Sequence, residues 1–112
     1  MNGIVFFKTR DLERLRKFYL EMVECSVWMD QEDCVIFCHG EFLFGFCKRD
    51  TVDKCGILTF FYNEKEKVDF FYEKFSQIAD GEPRDNPKYP IYHFFTEDPE
   101  GRVLEFQYFY NI

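Results

Sequence analysis

An internal repeat constrains this chain more than any other feature. Residues 3–19, "GIVFFKTRDLERLRKFY", and residues 56–72, "GILTFFYNEKEKVDFFY", align at an offset of 56 − 3 = 53. Gly3/Gly56, Ile4/Ile57, Phe7/Phe60, Glu13/Glu66, Phe18/Phe71 and Tyr19/Tyr72 coincide, six positions in seventeen. Residue usage alone gives about one or two. Further on, "HGEFLFGF" (39–46) is set against "EGRVLEFQ" (100–107) at 101 − 40 = 61, so the second half has gained eight residues. The Pro-rich stretch "PRDNPKYP" is the natural place for them. The chain reads as a single domain, 1–112, made of half-repeats of about 1–53 and 54–112.

Each half follows the order strand, helix, three strands. Residues 3–8 are β-rich, and Asp11 is placed to cap a helix whose apolar stripe is Leu12, Leu15, Phe18, Tyr19, Met22 and Val23. Strands are expected at Cys25–Met29, Cys34–Cys38 and Phe42–Cys47, broken by "DQED" and "HGE". In the second half, 56–62 is a strand and Asn63 with Glu66 resembles a capping box. Val68, Phe71, Phe75 and Ile78 line the next helix, and strands follow near 82–85, at 91–97 and at 102–110. A sheet with one apolar face per half must be covered. The expected fold is α+β: paired βαβββ modules forming a curved mixed sheet, with helices on the convex side.

Strand alternation then assigns faces. Val5, Phe7, Leu58, Phe60, Leu104 and Phe106 point to the helices. Ile4, Phe6, Lys8, Ile57, Thr59, Phe61, Val103, Glu105 and Gln107 point into the hollow. Glu105 is thus a carboxylate on an inner face that is otherwise largely apolar, where a charge needs a partner or shifts its pKa. The partners within reach are Thr59, His93 and Lys8. The alternative places Glu105 at a solvated sheet margin.

Composition removes several function classes. The net charge is −7 with no basic stripe, so nucleic acid is not an expected partner. The longest apolar runs are strand-sized, and "MNGIVFFKTRDLERL" does not follow a secretory-signal pattern; a cytoplasmic protein with no membrane partner is expected. Cys25, Cys34, Cys38, Cys47 and Cys55 are odd in number and irregularly spaced. Cys34 and Cys38 share a strand face but stand roughly 13 Å apart, so the five are expected to be reduced thiols.

Two stretches carry a family resemblance. "TRDLERLRKFYLEMV" is similar to the strand-then-helix opening of the vicinal-oxygen-chelate superfamily, which includes glyoxalase I, bleomycin-resistance proteins and extradiol dioxygenases. "FFTEDPEGRVLEF" is similar to its closing signature, Asp-Pro-(Asp/Glu)-Gly followed four residues after the glycine by Glu. The resemblance implies a metal held by four side chains, one from the first and one from the last strand of each half. Those positions are here Ile4, Phe44 (the mate of Glu105 at the 61 offset), Ile57 and Glu105. Ile and Phe cannot ligate a metal, so no cofactor is expected. The alternative is a divalent metal held by Glu105 with His93.

The leading expectation is a metal-free protein that sequesters or senses an apolar or aromatic small molecule, using Phe6, Lys8, Phe44, Phe46, Thr59, Phe61 and Gln107. The alternative is a glyoxalase- or dioxygenase-like lyase, isomerase or oxygenase with Glu105 as metal ligand or general base. A third class is a domain whose hollow is filled by its own rings. Phe42, Phe44 and Phe46 fit either an aromatic ligand wall or such a filled core. His93 is structural or catalytic, His39 solvated in its turn, and Trp28 a core or ligand-stacking residue. A homodimer is expected, because strand edges and aromatic surface need cover.

Overall fold

The computed structural model describes residues 2–111; the two ends of the expected 1–112 domain lie outside them. The fold is α+β, with two helices and two four-stranded mixed sheets. The chain divides into two compact units at the Cys55–Gly56 bond.

The first unit contains β1 (Ile4–Thr9), α1 (Leu12–Glu21), β2 (Ser26–Gln31), β3 (Cys34–His39) and β4 (Phe42–Lys48). Its sheet runs β1-β4-β3-β2, with β1 parallel to β4 and the other pairs antiparallel. Asp11 caps α1 as expected, its Oδ1 accepting from the Arg14 N–H at 3.1 Å. Leu12, Leu15, Phe18 and Tyr19 recur at helical spacing and are buried. Tyr19 meets Phe44 and Phe46 of β4 at centroid distances of 5.3 and 5.0 Å, and Phe37 of β3 at 5.6 Å.

These contacts correct the expected facing of Phe44 and Phe46. Both are fully buried on the helix side of β4 and do not line the opposite face. The residue between them, Gly45, takes that face and pairs with Phe6 in the sheet register. Trp28 is also not a core residue. It sits half exposed on the edge strand β2, where the register shifts between Val27 and Met29.

The second unit contains β5 (Ile57–Tyr62), α2 (Lys65–Phe75), β6 (Arg84–Asp85), β7 (Ile91–Glu97) and β8 (Val103–Phe109). The sheet order β5-β8-β7-β6 repeats that of the first unit, again with one parallel pair. The expected capping box is absent: Glu64 occupies the N-cap position and makes no side-chain cap hydrogen bond. α2 ends at Phe75, so Ile78 falls beyond it and is exposed. Val68, Phe71 and Phe75 are the buried stripe. Phe106 lies at the centre of this core, 4.8 Å from Phe71, 5.3 Å from Phe75, 5.3 Å from Phe94 and 5.4 Å from Phe60. Burying one such ring contributes about 2 kcal/mol. Ten of the 24 aromatic residues are buried in two cores, one under each helix.

Among the described residues no helix is long and apolar enough to cross a membrane. The cysteines are not all reduced. Cys34 and Cys47 face each other across β3 and β4, Cα atoms 4.0 Å apart, and form a disulfide. The expectation of free thiols considered neighbours along one strand, whereas the pairing runs between strands. Cys25 is buried, and desolvation pushes its thiol up to about 12.

Candidate functional site

The closing stretch "EDPEGRVLEF" folds as the β7–β8 hairpin. Asp98 Oδ1 accepts from the N–H groups of Glu100 (2.8 Å) and Arg102 (3.0 Å), and Gly101 adopts φ +89°, which glycine takes without steric penalty. Arg102 Nη1 donates to Asp98 Oδ2 at 3.0 Å and to Glu100 Oε1 at 2.9 Å. Asp98 and Arg102 are buried, so the turn is held by a desolvated ion pair. The turn fixes the register of β8 against β7 and so decides which side chains leave the helix face.

On β8, Leu104 and Phe106 are fully buried, with Phe106 stacked under α2; Val103, Glu105 and Gln107 point the other way. Thr59 lies beside Glu105 in the parallel β5–β8 register, and His93 lies opposite Gln107 on β7. Four side chains from three strands therefore converge. The Thr59 hydroxyl donates to Glu105 Oε1 at 2.8 Å, and His93 Nδ1 lies 2.6 Å from Oε2. Oriented with its nitrogen toward Glu105, the Gln107 amide donates to Oε2 at 2.6 Å and to Oε1 at 3.2 Å. Glu105 is 8% exposed and His93 5%, so this is an interior group and not a solvated margin.

Two of the three partners expected for Glu105 are thus in place, Thr59 and His93. Lys8 belongs to the first unit, where its backbone N–H donates to Asp53 Oδ2 at 2.7 Å. Along β5, Ile57 and Phe61 share the face of Thr59 and are 55% and 54% exposed; Phe61 touches Phe109 of β8 at 5.5 Å. Phe6 lies on the equivalent face of the first unit, about half exposed. His39 is not solvated: it is half-buried with Nδ1 3.9 Å from Cys25 Sγ, and burial lowers its pKa. An opening of about 420 Å³ at the start of α1 is lined by Arg10, Asp11, Leu12, Glu13, Glu32, Asp33 and Lys48, and holds none of the sequence-derived candidates.

The resemblance also implied a four-ligand metal site, and the residues in place do not fit one. Ile4 and Ile57 have no lone pair to offer. The repeat mate of Glu105 is Gly45 and not Phe44: Phe6 pairs with Gly45 as Thr59 pairs with Glu105, an offset of 105 − 45 = 60. A Cβ at Gly45 would stand 2.7 Å from Phe6 Cε1, so the ring fills the space a ligating side chain would need. Among the described residues no three His, Cys, Asp or Glu are grouped as a metal site requires.

Sequence reasoning missed Asn86. Its Nδ2 lies 3.4 Å from His93 Nε2, adding a residue of the β6–β7 loop to the three strands of the group. "DNP" marks a turn, but its closeness to His93 depends on the pairing of β6 with β7. The disulfide was more accessible to inference. A two-residue turn at Gly40–Glu41 pairs His39 with Phe42, and counting back along both strands pairs Cys34 with Cys47.

No protein-family model matches the chain, and no curated protein matches its sequence. Solved structures do. A glyoxalase/bleomycin resistance protein/dioxygenase from Alicyclobacillus acidocaldarius superposes with TM-score 0.81 at 18% identity, covering 99% of this chain and 92% of that one. One of that family from Burkholderia phytofirmans PsJN gives 0.79 at 19%, covering 94% and 95%. A lactoylglutathione lyase from Agrobacterium tumefaciens gives 0.77 at 17%, covering 96% and 92%. The fold is that of the vicinal-oxygen-chelate proteins, as the two sequence stretches implied.

Proposed function

We propose that the protein binds a small molecule with an apolar or aromatic body on the helix-free face of the second unit's sheet, without a metal of the superfamily type. One observation carries this reading. Three neighbouring side chains meet the buried carboxylate of Glu105 while Ile57 and Phe61 stand more than half exposed along the same face. A polar centre beside exposed apolar side chains is the usual composition of a small-molecule site. The mismatch of the ligand positions supports the metal-free part. Thermal shift against a panel of planar aromatic compounds tests it: a raised melting temperature that Phe61→Ala abolishes is expected. A panel in which no compound moves the transition removes the reading.

An enzyme reading rests on the 2.6 Å contact between His93 and Glu105. Imidazole and carboxylate at this distance are the parts of a general acid–base pair. In this reading Glu105→Gln abolishes turnover of a carbonyl substrate while leaving its binding. Normal turnover by that variant ends it.

A further inference from the structure

Building on that binding reading, we propose that the polar atom presented to the ligand is Nε2 of His93, with Glu105 orienting the ring, and that the ligand carries an O–H or N–H donor, as a phenol does. The loop between β6 and β7 fixes which end of the Asn86 amide faces the ring. Asn86 Oδ1 accepts from the backbone N–H groups of Lys88 at 2.8 Å and Tyr89 at 2.9 Å. An amide end that accepts two N–H groups is the oxygen, so the end 3.4 Å from His93 Nε2 is the NH2, which only donates. Nε2 therefore offers its lone pair. In the neutral ring the proton sits on Nδ1, and Nδ1–H donates to Glu105 Oε2 at 2.6 Å.

The carboxylate is already engaged from within the sheet, by Thr59, Gln107 and His93. Each of its oxygens has a contact of 2.8 Å or 2.6 Å. The Asn86–His93 contact is the long one in the group, and long hydrogen bonds are weak. A ligand donor that takes the place of the Asn86 NH2 at Nε2 disturbs the least. Asn86 is only half-buried and the residues after it, Pro87 to Pro90, are exposed, so water can take over the displaced amide hydrogen. A ligand with only acceptors finds no complement at this atom, because a lone pair would face a lone pair.

The first test uses the free protein. Nitrogen NMR of 15N-labelled histidine distinguishes the two tautomers, and loss of one signal set in His93→Gln separates His93 from His39. The Nδ1–H tautomer is expected. An Nε2–H tautomer or an imidazolium overturns the assignment. Asn86→Asp, which puts an acceptor opposite Nε2, is expected to place a proton on Nε2 while Nδ1–H stays with Glu105. The second arm titrates 2-naphthol and 2-methoxynaphthalene. The naphthol is expected to bind at least about tenfold more tightly, with a shift of the Nε2 resonance for it alone. Equal binding leaves the small-molecule reading in place and overturns the role of Nε2. Failure of both to bind removes the aromatic-ligand reading and this assignment with it.

Discussion

The helix-free faces of the two sheets hold different chemistry at corresponding places. In the second unit, Thr59, Glu105, Gln107 and His93 form a hydrogen-bonded polar group. Carried through the strand registers, the same four places in the first unit are Phe6, Gly45, Cys47 and Cys34. There an aromatic ring lies over a glycine, and a disulfide spans the positions that Gln107 and His93 take in the other unit. The backbone plan is shared, yet one face is built to meet polar atoms and the other is closed by a ring and a covalent link. In a duplicated fold the backbone supplies places, and the side chains decide what chemistry each place has.

The comparison can be broken most strongly at the hairpins. Asp98→Ala removes two backbone hydrogen bonds and the contact with Arg102 in a buried turn; a loss of about 4 kcal/mol in urea unfolding is expected. Near-wild-type stability would mean that the ion pair does not set the β8 register. The β3–β4 hairpin of the first unit is stapled instead at the end away from its turn, by the disulfide, which closes a short loop with a sequence separation of 13. Its reduction, or Cys34→Ser with Cys47→Ser, is expected to lower stability by about 3 kcal/mol, read as a reductant-dependent melting temperature.

Exchanging residues between the faces sharpens the contrast. Gly45→Glu drives its Cβ into the Phe6 ring and is expected to cost about 2 kcal/mol. Phe6→Thr made with it reproduces the Thr59–Glu105 pair, and a double-mutant cycle should return a favourable coupling; strict additivity would mean that the two places are independent. Glu105→Gln puts an NH2 among donors from Thr59, His93 and Gln107, and about 2 kcal/mol is the expected loss by denaturant titration.

The smallest effect concerns pH. The hydrogen bond from Arg84 lowers the pKa of Asp80, helped by the backbone N–H of Phe95, while partial burial opposes the shift. A depressed carboxylate adds stability above its unfolded pKa and loses it as pH falls through the folded value. The pair is largely exposed, so only about 0.5 kcal/mol is at stake. Asp80→Asn should flatten the acid limb of the stability curve by that amount, and an unchanged limb would show that the pairing is not felt in solution.

How far the site was legible depended on the type of signal. β5 and β8 alternate cleanly, so Thr59 and Glu105 could be placed side by side from the chain alone. β4 could not be placed the same way. Its turn is Gly40–Glu41, whereas the second unit uses the longer Asp98–Arg102 turn, and matching Gly40 to Gly101 slips the strand by one residue. A slip of one reverses every side chain. That is why Phe44 and Phe46 were expected on the ligand face and are found beneath α1.

Periodicity and local turn chemistry suffice for the repeat, the order of helices and strands in each half, the buried stripes of α1 and α2 apart from Met22 and Ile78, and a carboxylate turned away from the helix. That Asn86 reaches His93, that Phe6 covers Gly45 and that Cys34 is joined to Cys47 is settled by packing in three dimensions. Each of these contacts joins different strands or loops, and its geometry follows from strand register and ring placement, which no short window of sequence contains.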